Sequence, residues 1–143
     1  MRIRDCMTRY ARVVAPGQTI RDAARMMTDI DAGMLPVGED DRLVGIVTDR
    51  DIAVRGVATG KGPDAPVREV MSTDVLYCFE DQDTAEVLEN MGDIQVRRLP
   101  VLDRGKRLTG VISLCDFPFD NVARTGAALS EITRPSGQRS QTL

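Results

Sequence analysis

Two stretches of the chain place apolar residues three or four positions apart, which is the spacing of one face of a helix. The first stretch contains Ile20, Ala23, Ala24, Met27 and Ile30, and the second contains Val87, Leu88, Met91 and Ile94. Thr19 and Asp83 precede these runs and are good N-caps, because their side-chain oxygens accept a hydrogen bond from an unpaired helix N–H. Asp22 and Glu86 follow at the capping-box position. We therefore predict one amphipathic helix after each cap.

Short runs rich in β-branched and aliphatic residues follow each predicted helix. Residues 34–37 and 43–47 flank a Gly-Glu-Asp-Asp turn, and residues 99–102 and 108–112 flank an Asp-Arg-Gly-Lys turn. Each pair reads as a hairpin. Shorter strands are expected at residues 13–14 and 77–79. A further helix is expected over residues 49–57, with Ile52, Ala53 and Val57 on its apolar side.

The two halves are copies of each other. A shift of 64 positions carries Gln18 onto Gln82 and residues 35–37 onto 99–101, and it also carries Met7-Thr8 onto Met71-Ser72. After one extra turn residue, residues 45–48 fall on residues 110–113. The unit is β-α-β-β-α, twice. Each copy alone buries too little surface to be stable, so we expect the two to pack sheet to sheet about a pseudo-twofold axis.

The predicted architecture is a mixed α/β (α+β) fold. Repeat one is assigned to residues 5–60, a linker to 61–69 and repeat two to 70–120. A C-terminal helix follows over residues 121–134, with Val122, Ala123, Leu129 and Ile132 available to dock it on the module or on a partner. Residues 135–143 show no core pattern, and we expect a disordered tail.

Composition narrows the function classes. The chain has 143 residues, 42% of them hydrophobic but 3% aromatic, so the core must be aliphatic. A net charge of −3 gives no basic surplus for nucleic acid or an anionic membrane. No apolar run approaches the roughly 18–20 residues of a membrane span. Charged residues among the first five positions argue against a secretory signal, and we expect a cytoplasmic protein.

The three cysteines, Cys6, Cys78 and Cys115, lie far apart, and the chain has no histidine. The usual zinc ligand sets are therefore not available, and we expect no metal. Reduced, mostly buried thiols and a redox role for one of them both remain open.

Candidate chemistry lies where the second hairpin strand of each repeat ends. Residues 48–51, here called motif 1, and residues 113–116, here called motif 2, each place a hydroxyl residue three positions before an aspartate. Helix capping alone would account for either motif. The alternative is a ligand site, in which the hydroxyl meets a phosphate and the ionised carboxylate accepts both hydrogen bonds of a ribose diol. Apolar residues of the adjoining strands would then enclose a purine.

The duplicated hydroxyl-x-x-Asp motif, with a Leu-Pro-Val strand upstream, resembles the CBS-domain family, in particular short stand-alone two-CBS proteins of bacteria. The likeness covers residues 5–120. It implies a Bateman module whose two clefts between the repeats hold an adenosyl ligand such as AMP, ADP, ATP, NAD(H) or S-adenosylmethionine. An accompanying Mg²⁺ is compatible with this. The resemblance also implies a disc-like homodimer, and signalling through an effector protein in trans.

Carried over by position, Asp51 and Asp116 would bind ribose, while Thr48 and Ser113 would meet phosphate. Arg97 and Arg98 lie just before the strand proline of repeat two, where some family members grip phosphate; a solvated strand edge is the alternative. Arg50 is a weaker candidate. The adenine pocket is expected to involve the following apolar residues: Val14, Met34, Leu35, Leu99, Ile46 and Ile112.

Repeat two departs from this pattern. Leu114-Cys115 replaces Asp49-Arg50, and Pro118 follows Asp116 closely enough to shorten the helix there. The copies are therefore unequal.

Two other function classes are alternatives to a nucleotide sensor. A CBS dimer that binds no ligand, acting as a structural, interaction or stress protein, would keep both motifs for capping alone. An enzyme is not expected, because the chain lacks histidine, a GxxxxGK[ST] phosphate loop and any Cys–His pair.

Overall fold

The computed structural model describes residues 1–9, 12–118 and 122–135 of the chain. The described residues form two compact units. The first-repeat unit consists of residues 12–75. The second-repeat unit joins residues 1–9 to residues 76–118 and 122–135.

In the first-repeat unit, helix α1 (Ile20–Ile30) precedes a hairpin of strands β2 (Met34–Glu39) and β3 (Arg42–Thr48). The predicted capping box of α1 is present, because Thr19 Oγ1 accepts from the Asp22 N–H at 3.1 Å and Asp22 accepts from the Thr19 N–H at 3.2 Å. The predicted first strand is reduced to Val14, which pairs in parallel with Val37.

The hairpin turn explains why two aspartates occur together. Glu39 faces Arg42 across the ladder, and Asp40 and Asp41 between them have φ of 52° and 62°. Positive φ at both central residues is the geometry of the two-residue turn that matches strand twist, and Asp tolerates it better than most residues.

The helix predicted over residues 49–57 is present but irregular. It starts as α2 (Asp49–Asp51), continues as a π turn (Ile52–Gly56) and ends as a 3₁₀ turn (Val57–Thr59). The predicted apolar side is wrong for Ala53 and Val57, which are exposed. The wider π turn rotates the following residues, and Gly56 is buried against Ile20 and Val70 instead.

The second-repeat unit contains β4 (Cys78–Phe79), α3 (Thr84–Ile94), β5 (Arg98–Leu102), β6 (Leu108–Ser113) and α4 (Val122–Thr133). Its four-stranded sheet has the order β1-β6-β5-β4, where β1 is Thr8–Arg9. The helix at motif 2 is a single 3₁₀ turn, Leu114–Asp116, and Phe117 leaves it in an extended conformation. The shortening predicted from Pro118 is therefore confirmed, since a residue before proline avoids the helical region.

Each unit is completed by a short segment that precedes the other repeat in sequence. Ile3 and Met7 belong to the core of the second-repeat unit, and β1 pairs with β6. In the first-repeat unit, Val67 and Val70 are core residues, and Ser72 pairs with Ile46.

The compact units consequently do not share the boundaries of the repeats. The repeat ranges 5–60 and 70–120 stay predictions about the sequence repeats. The predicted linker, 61–69, differs from the structure because it includes the packed 3₁₀ turn Val67–Glu69.

Helix α4 packs on α3, with Ala128 and Ile132 buried against Leu88 and Leu114. Ile132 docks the helix on the second-repeat unit as predicted, whereas Val122, Ala123 and Leu129 are exposed there, and docking on a partner stays a prediction for them. Gly92 permits the close approach, because a Cβ there would lie 3.1 Å from the Ala128 Cα. The predicted tail lies outside the described residues from position 136 onward.

Some apolar positions of the predicted helices are exposed rather than buried, namely Ala24, Ile30 and Ile94. Ile30 and Ile94 are the last residues of their helices. Within the described ranges, no helix has the length and apolar character needed to cross a lipid bilayer.

Candidate functional site

Motif 1 lies where β3 passes directly into α2. The Asp51 N–H donates to Thr48 Oγ1 at 3.0 Å, and Asp51 Oδ2 accepts from the Thr48 N–H at 3.0 Å. This capping box holds the carboxylate against the backbone. Both side chains are fully buried, with 0% exposure.

The second carboxylate oxygen of Asp51 is the most unusual atom of motif 1. Among the described residues, Oδ1 has no hydrogen-bond partner, although it is buried. A buried polar atom without a partner costs about 1–3 kcal/mol, so proteins rarely keep one without a use. Oδ1 is thus an acceptor available to a ligand hydroxyl.

Arg55 is the cation beside that oxygen, and sequence reasoning did not identify it. Its Nε lies 3.8 Å from Asp51 Oδ1, while Nη1 donates to Met71 O and Ser72 Oγ, both at 3.4 Å. The available signal was its position four residues after Asp51 on a helix, which brings the two side chains to one face. Arg55 therefore connects motif 1 to the segment that completes the first-repeat unit.

Motif 2 repeats the arrangement more loosely. Asp116 Oδ2 accepts from the Ser113 N–H at 2.9 Å, but Ser113 Oγ accepts from Cys115 N–H at 3.4 Å. Both Ser113 and Asp116 are half-buried. The looser box fits the single 3₁₀ turn that follows, and it leaves the carboxylate more accessible than in motif 1.

The arginine pair predicted as a phosphate clamp lies beside motif 2. Arg98 is the ladder partner of Ser113, and the Leu114 N–H donates to the Arg97 carbonyl at 2.9 Å. Arg97 is exposed and Arg98 half-buried. Arg50, the weaker candidate, is exposed beside Asp49, whose Oδ1 accepts from the Arg50 N–H at 2.8 Å.

The apolar residues predicted for an adenine pocket separate into two groups. Met34 and Ile46 are buried on the hairpin face that carries Thr48, because Met34 pairs with Thr48 and side chains alternate along a strand. The other four residues are members of the two hydrophobic cores, so their position does not support a ligand contact: Val14, Leu35, Leu99 and Ile112.

The three cysteine thiols differ in how far they are buried. Burial, and next the negative charge of Asp116, raise the pKa of the Cys6 thiol, whereas Cys115 is exposed. Burial raises the pKa of the Cys78 thiol to about 12. Within residues 1–9, 12–118 and 122–135, no group of three or more His, Cys, Asp or Glu side chains could hold a metal ion.

A groove of about 440 Å³ lies between α3 and α4. None of the predicted site residues contributes to its lining, which consists of the following: Ala85, Glu89, Gly92, Asp93, Arg124, Ala127, Ala128 and Glu131.

The chain is similar to known proteins of one family. Residues 3–56 and 67–117 each match the family model described as CBS domain. The chain is 36% identical over 133 residues to the CBS domain-containing protein YhcV of Bacillus subtilis, covering 92% of this chain and 94% of that protein.

Two solved structures have the same fold. Hypoxic Response Protein I, crystallised with two coordinated zinc ions, superposes with a TM-score of 0.74 at 36% identity, over 87% of this chain and 98% of that one. The chain is also 36% identical over 116 residues to Hypoxic response protein 1 of Mycobacterium tuberculosis, covering 80% of this chain and 80% of that protein. The CBS domain pair of MJ0100, in complex with 5′-methylthioadenosine and S-adenosyl-L-methionine, gives a TM-score of 0.70 at 22% identity, over 87% of this chain and 94% of that one.

Proposed function

The chain belongs to the CBS-domain family, and on that premise we propose that it is a regulatory module that binds an adenosyl ligand. The ligand class comprises AMP, ADP, ATP, NAD and related adenosyl compounds. Asp51 and Asp116 accept hydrogen bonds from the ribose, and the output is passed to an effector protein in trans. The proposed role is regulatory and includes no catalytic step.

The single observation that carries the proposal is that Asp51 Oδ1 is buried and has no hydrogen-bond partner among the described residues. A carboxylate that only capped a helix would need one oxygen, and Oδ2 already fills that role. A ribose hydroxyl donating to Oδ1 would satisfy the remaining buried acceptor. The MJ0100 pair supports the ligand class, because the same fold there is in complex with two adenosyl compounds.

A thermal-shift panel of adenine nucleotides and adenosyl compounds tests the proposal. A ligand that binds only the folded chain, at a hundred times its dissociation constant, should add about 2.7 kcal/mol of stability. The melting temperature should then rise by several degrees. No rise with any compound would contradict the proposal.

Removing both aspartates sharpens the test. The double variant Asp51→Ala and Asp116→Ala should lose binding in titration calorimetry. Asp22→Ala is the matched control, because it removes a carboxylate from the same type of capping box in α1, away from both motifs. Equal affinity in the double variant and the control would show that the ligand binds elsewhere.

A second candidate function is a CBS dimer that acts by protein interaction without a ligand. The observation in its favour is that both aspartates already cap their helical turns, which would preserve them in any case. Binding lost in the double variant and kept in the Asp22→Ala control would exclude it.

We also propose that the chain is a homodimer. Val57 is 68% exposed and Val54 45% exposed, on the helical stretch that follows motif 1. A second copy covering these side chains would bury apolar surface. Val57→Glu should then raise the dimer dissociation constant in analytical ultracentrifugation, whereas an unchanged constant would place the interface elsewhere.

A further inference from the structure

We propose that the two motifs take different classes of adenosyl ligand: motif 2 one with a 5′-phosphate, and motif 1 one with an uncharged or cationic 5′ group. This inference rests on the proposed function and divides its ligand class between the two motifs.

Motif 2 is flanked by positive charge. Arg98 is the ladder partner of Ser113, and the Leu114 N–H donates to the Arg97 carbonyl, so the backbones of both arginines lie beside motif 2. No ion pair or side-chain hydrogen bond of either guanidinium occurs in the part of the chain that the structure describes. Guanidinium groups bind phosphate through paired, charge-assisted hydrogen bonds.

Motif 1 has a carboxylate in the corresponding place. Met34 and Gly33 stand where repeat two has Arg98 and Arg97, and Asp49 stands where it has Leu114. A Cβ on Gly33 would lie 2.8 Å from Asp49 Oδ2. The Asp49 carboxylate therefore occupies the space from which a clamp side chain would start, and it would repel a phosphate.

The cation nearest the motif 1 carboxylate is already engaged. Arg55 contacts Asp51 and donates to Met71 O and Ser72 Oγ. At the positions compared above, the side chains of repeat one carry a net charge of −1, from Asp49, whereas those of repeat two carry +2, from Arg97 and Arg98. The two motifs thus share a ribose acceptor and differ in the charge presented to the 5′ group.

Titration calorimetry of the full chain with AMP and with 5′-methylthioadenosine tests the division. Arg98→Gln should weaken AMP binding about tenfold or more, the effect of losing a charge-assisted hydrogen bond, and change 5′-methylthioadenosine binding less than about twofold. Arg124→Gln is the control, since it removes an exposed guanidinium of the same unit on α4. It should leave both affinities unchanged.

Variants of the aspartates assign each compound to its motif. Asp116→Asn should remove AMP binding and keep 5′-methylthioadenosine binding, and Asp51→Asn should do the reverse. Because Asp51 is buried, that variant could fail to fold, so the exposed Asp49→Asn supplies a second measurement. It should add or tighten AMP binding at motif 1.

Several results would overturn the division of ligands. One is an equal loss of affinity for the two compounds in Arg98→Gln. Another is AMP binding that depends on Asp51 and not on Asp116. The third is an Asp49→Asn variant whose affinity for AMP does not increase. Wild-type chain that binds neither compound nor any other adenosyl compound would instead overturn the proposed function itself.

Discussion

The two repeats build the same elements from the same pattern, yet their helices α1 and α3 have different outer faces. Leu88 of α3 is 0% exposed beneath α4, whereas the corresponding residue of α1, Ala24, is exposed. Gly92 meets Ala128 closely, whereas its counterpart in α1 is Thr28, an exposed polar residue. The second repeat is therefore built to receive α4, and the first is built to face solvent or another surface.

The two motifs also differ in the residue that follows the capping hydroxyl. Leu114 joins the core beneath α4, while its counterpart Asp49 is exposed beside Arg50. One substitution between repeats thus changes both the packing of a helix and the charge of a site. Duplicated halves can keep one backbone while dividing their surface roles.

The largest expected effect comes from emptying the space beneath α4. Leu88→Ala should lower the free energy of unfolding by about 2–5 kcal/mol, because a fully buried leucine leaves a cavity among Leu114, Ala128 and Ile132. Urea denaturation measures this value. The control is Ala24→Leu at the matching position of α1, which should change stability by less than about 0.5 kcal/mol. Equal effects at the two positions would contradict the asymmetry.

Two glycines test how residues 3–9 complete the second-repeat unit and how residues 67–72 complete the first-repeat unit. A Cβ on Gly110 would collide with the Thr8 carbonyl, and one on Gly45 would lie 2.8 Å from the Ser72 carbonyl. Gly110→Ala should destabilise by about 1–3 kcal/mol through overpacking, and Gly45→Ala by less. Hydrogen exchange should accelerate in residues 3–9 for the first variant and in residues 67–72 for the second. Faster exchange in residues 67–72 for Gly110→Ala, or in residues 3–9 for Gly45→Ala, would contradict this packing.

Removing the capping hydroxyls compares the motifs directly. Thr48→Ala should cost about 0.5–2 kcal/mol, because a buried cap accepting at 3.0 Å is lost. Ser113→Ala should cost less, since its bond is 3.4 Å long and the residue is half-buried. Guanidinium denaturation of both variants gives the ranking, and a larger loss for Ser113→Ala would contradict it.

The smallest effect concerns alkaline pH. Burial raises the pKa of Cys78 from its ordinary value of 9.0 to about 12, so the folded chain keeps this proton after the unfolded chain has lost it. The contribution of the Cys78 thiol to the free energy of unfolding is fully present below pH 9.0 and is lost as pH rises towards about 12. Cys78→Val, which introduces the residue found at position 14 of repeat one, should make stability between pH 7.5 and about 10 less pH-dependent. An unchanged pH dependence would contradict the buried thiol.

Much of the fold was accessible from sequence because its signals are local. Thr19 with Asp22, the two hairpins and the helix stop at Pro118 all depend on residues within a few positions of each other. Because the chain is duplicated, most of these patterns occur twice, and each occurrence supports the other. The positions of Asp51 and Asp116 at strand ends followed from the same local patterns.

The errors occurred where packing competes with periodicity. Ala53 and Val57 fit a regular helix face, but the π turn moves Gly56 against Ile20 and Val70 instead. On α4, the contact with α3 is made by the small residue Ala128, which the docking stripe did not include. Arg55 was overlooked because its partners Met71 and Ser72 lie far along the chain.

The sequence alone determined the elements, the duplication and the residue types of both motifs, because capping, strand alternation and turn chemistry act over a few residues. Only the tertiary structure decided which segment completes which sheet, which helix face is covered and that Asp51 Oδ1 is buried without a hydrogen-bond partner among the described residues. Those outcomes depend on burial between residues distant in sequence, and the free energy of such burial is set by the shapes that meet rather than by any local pattern.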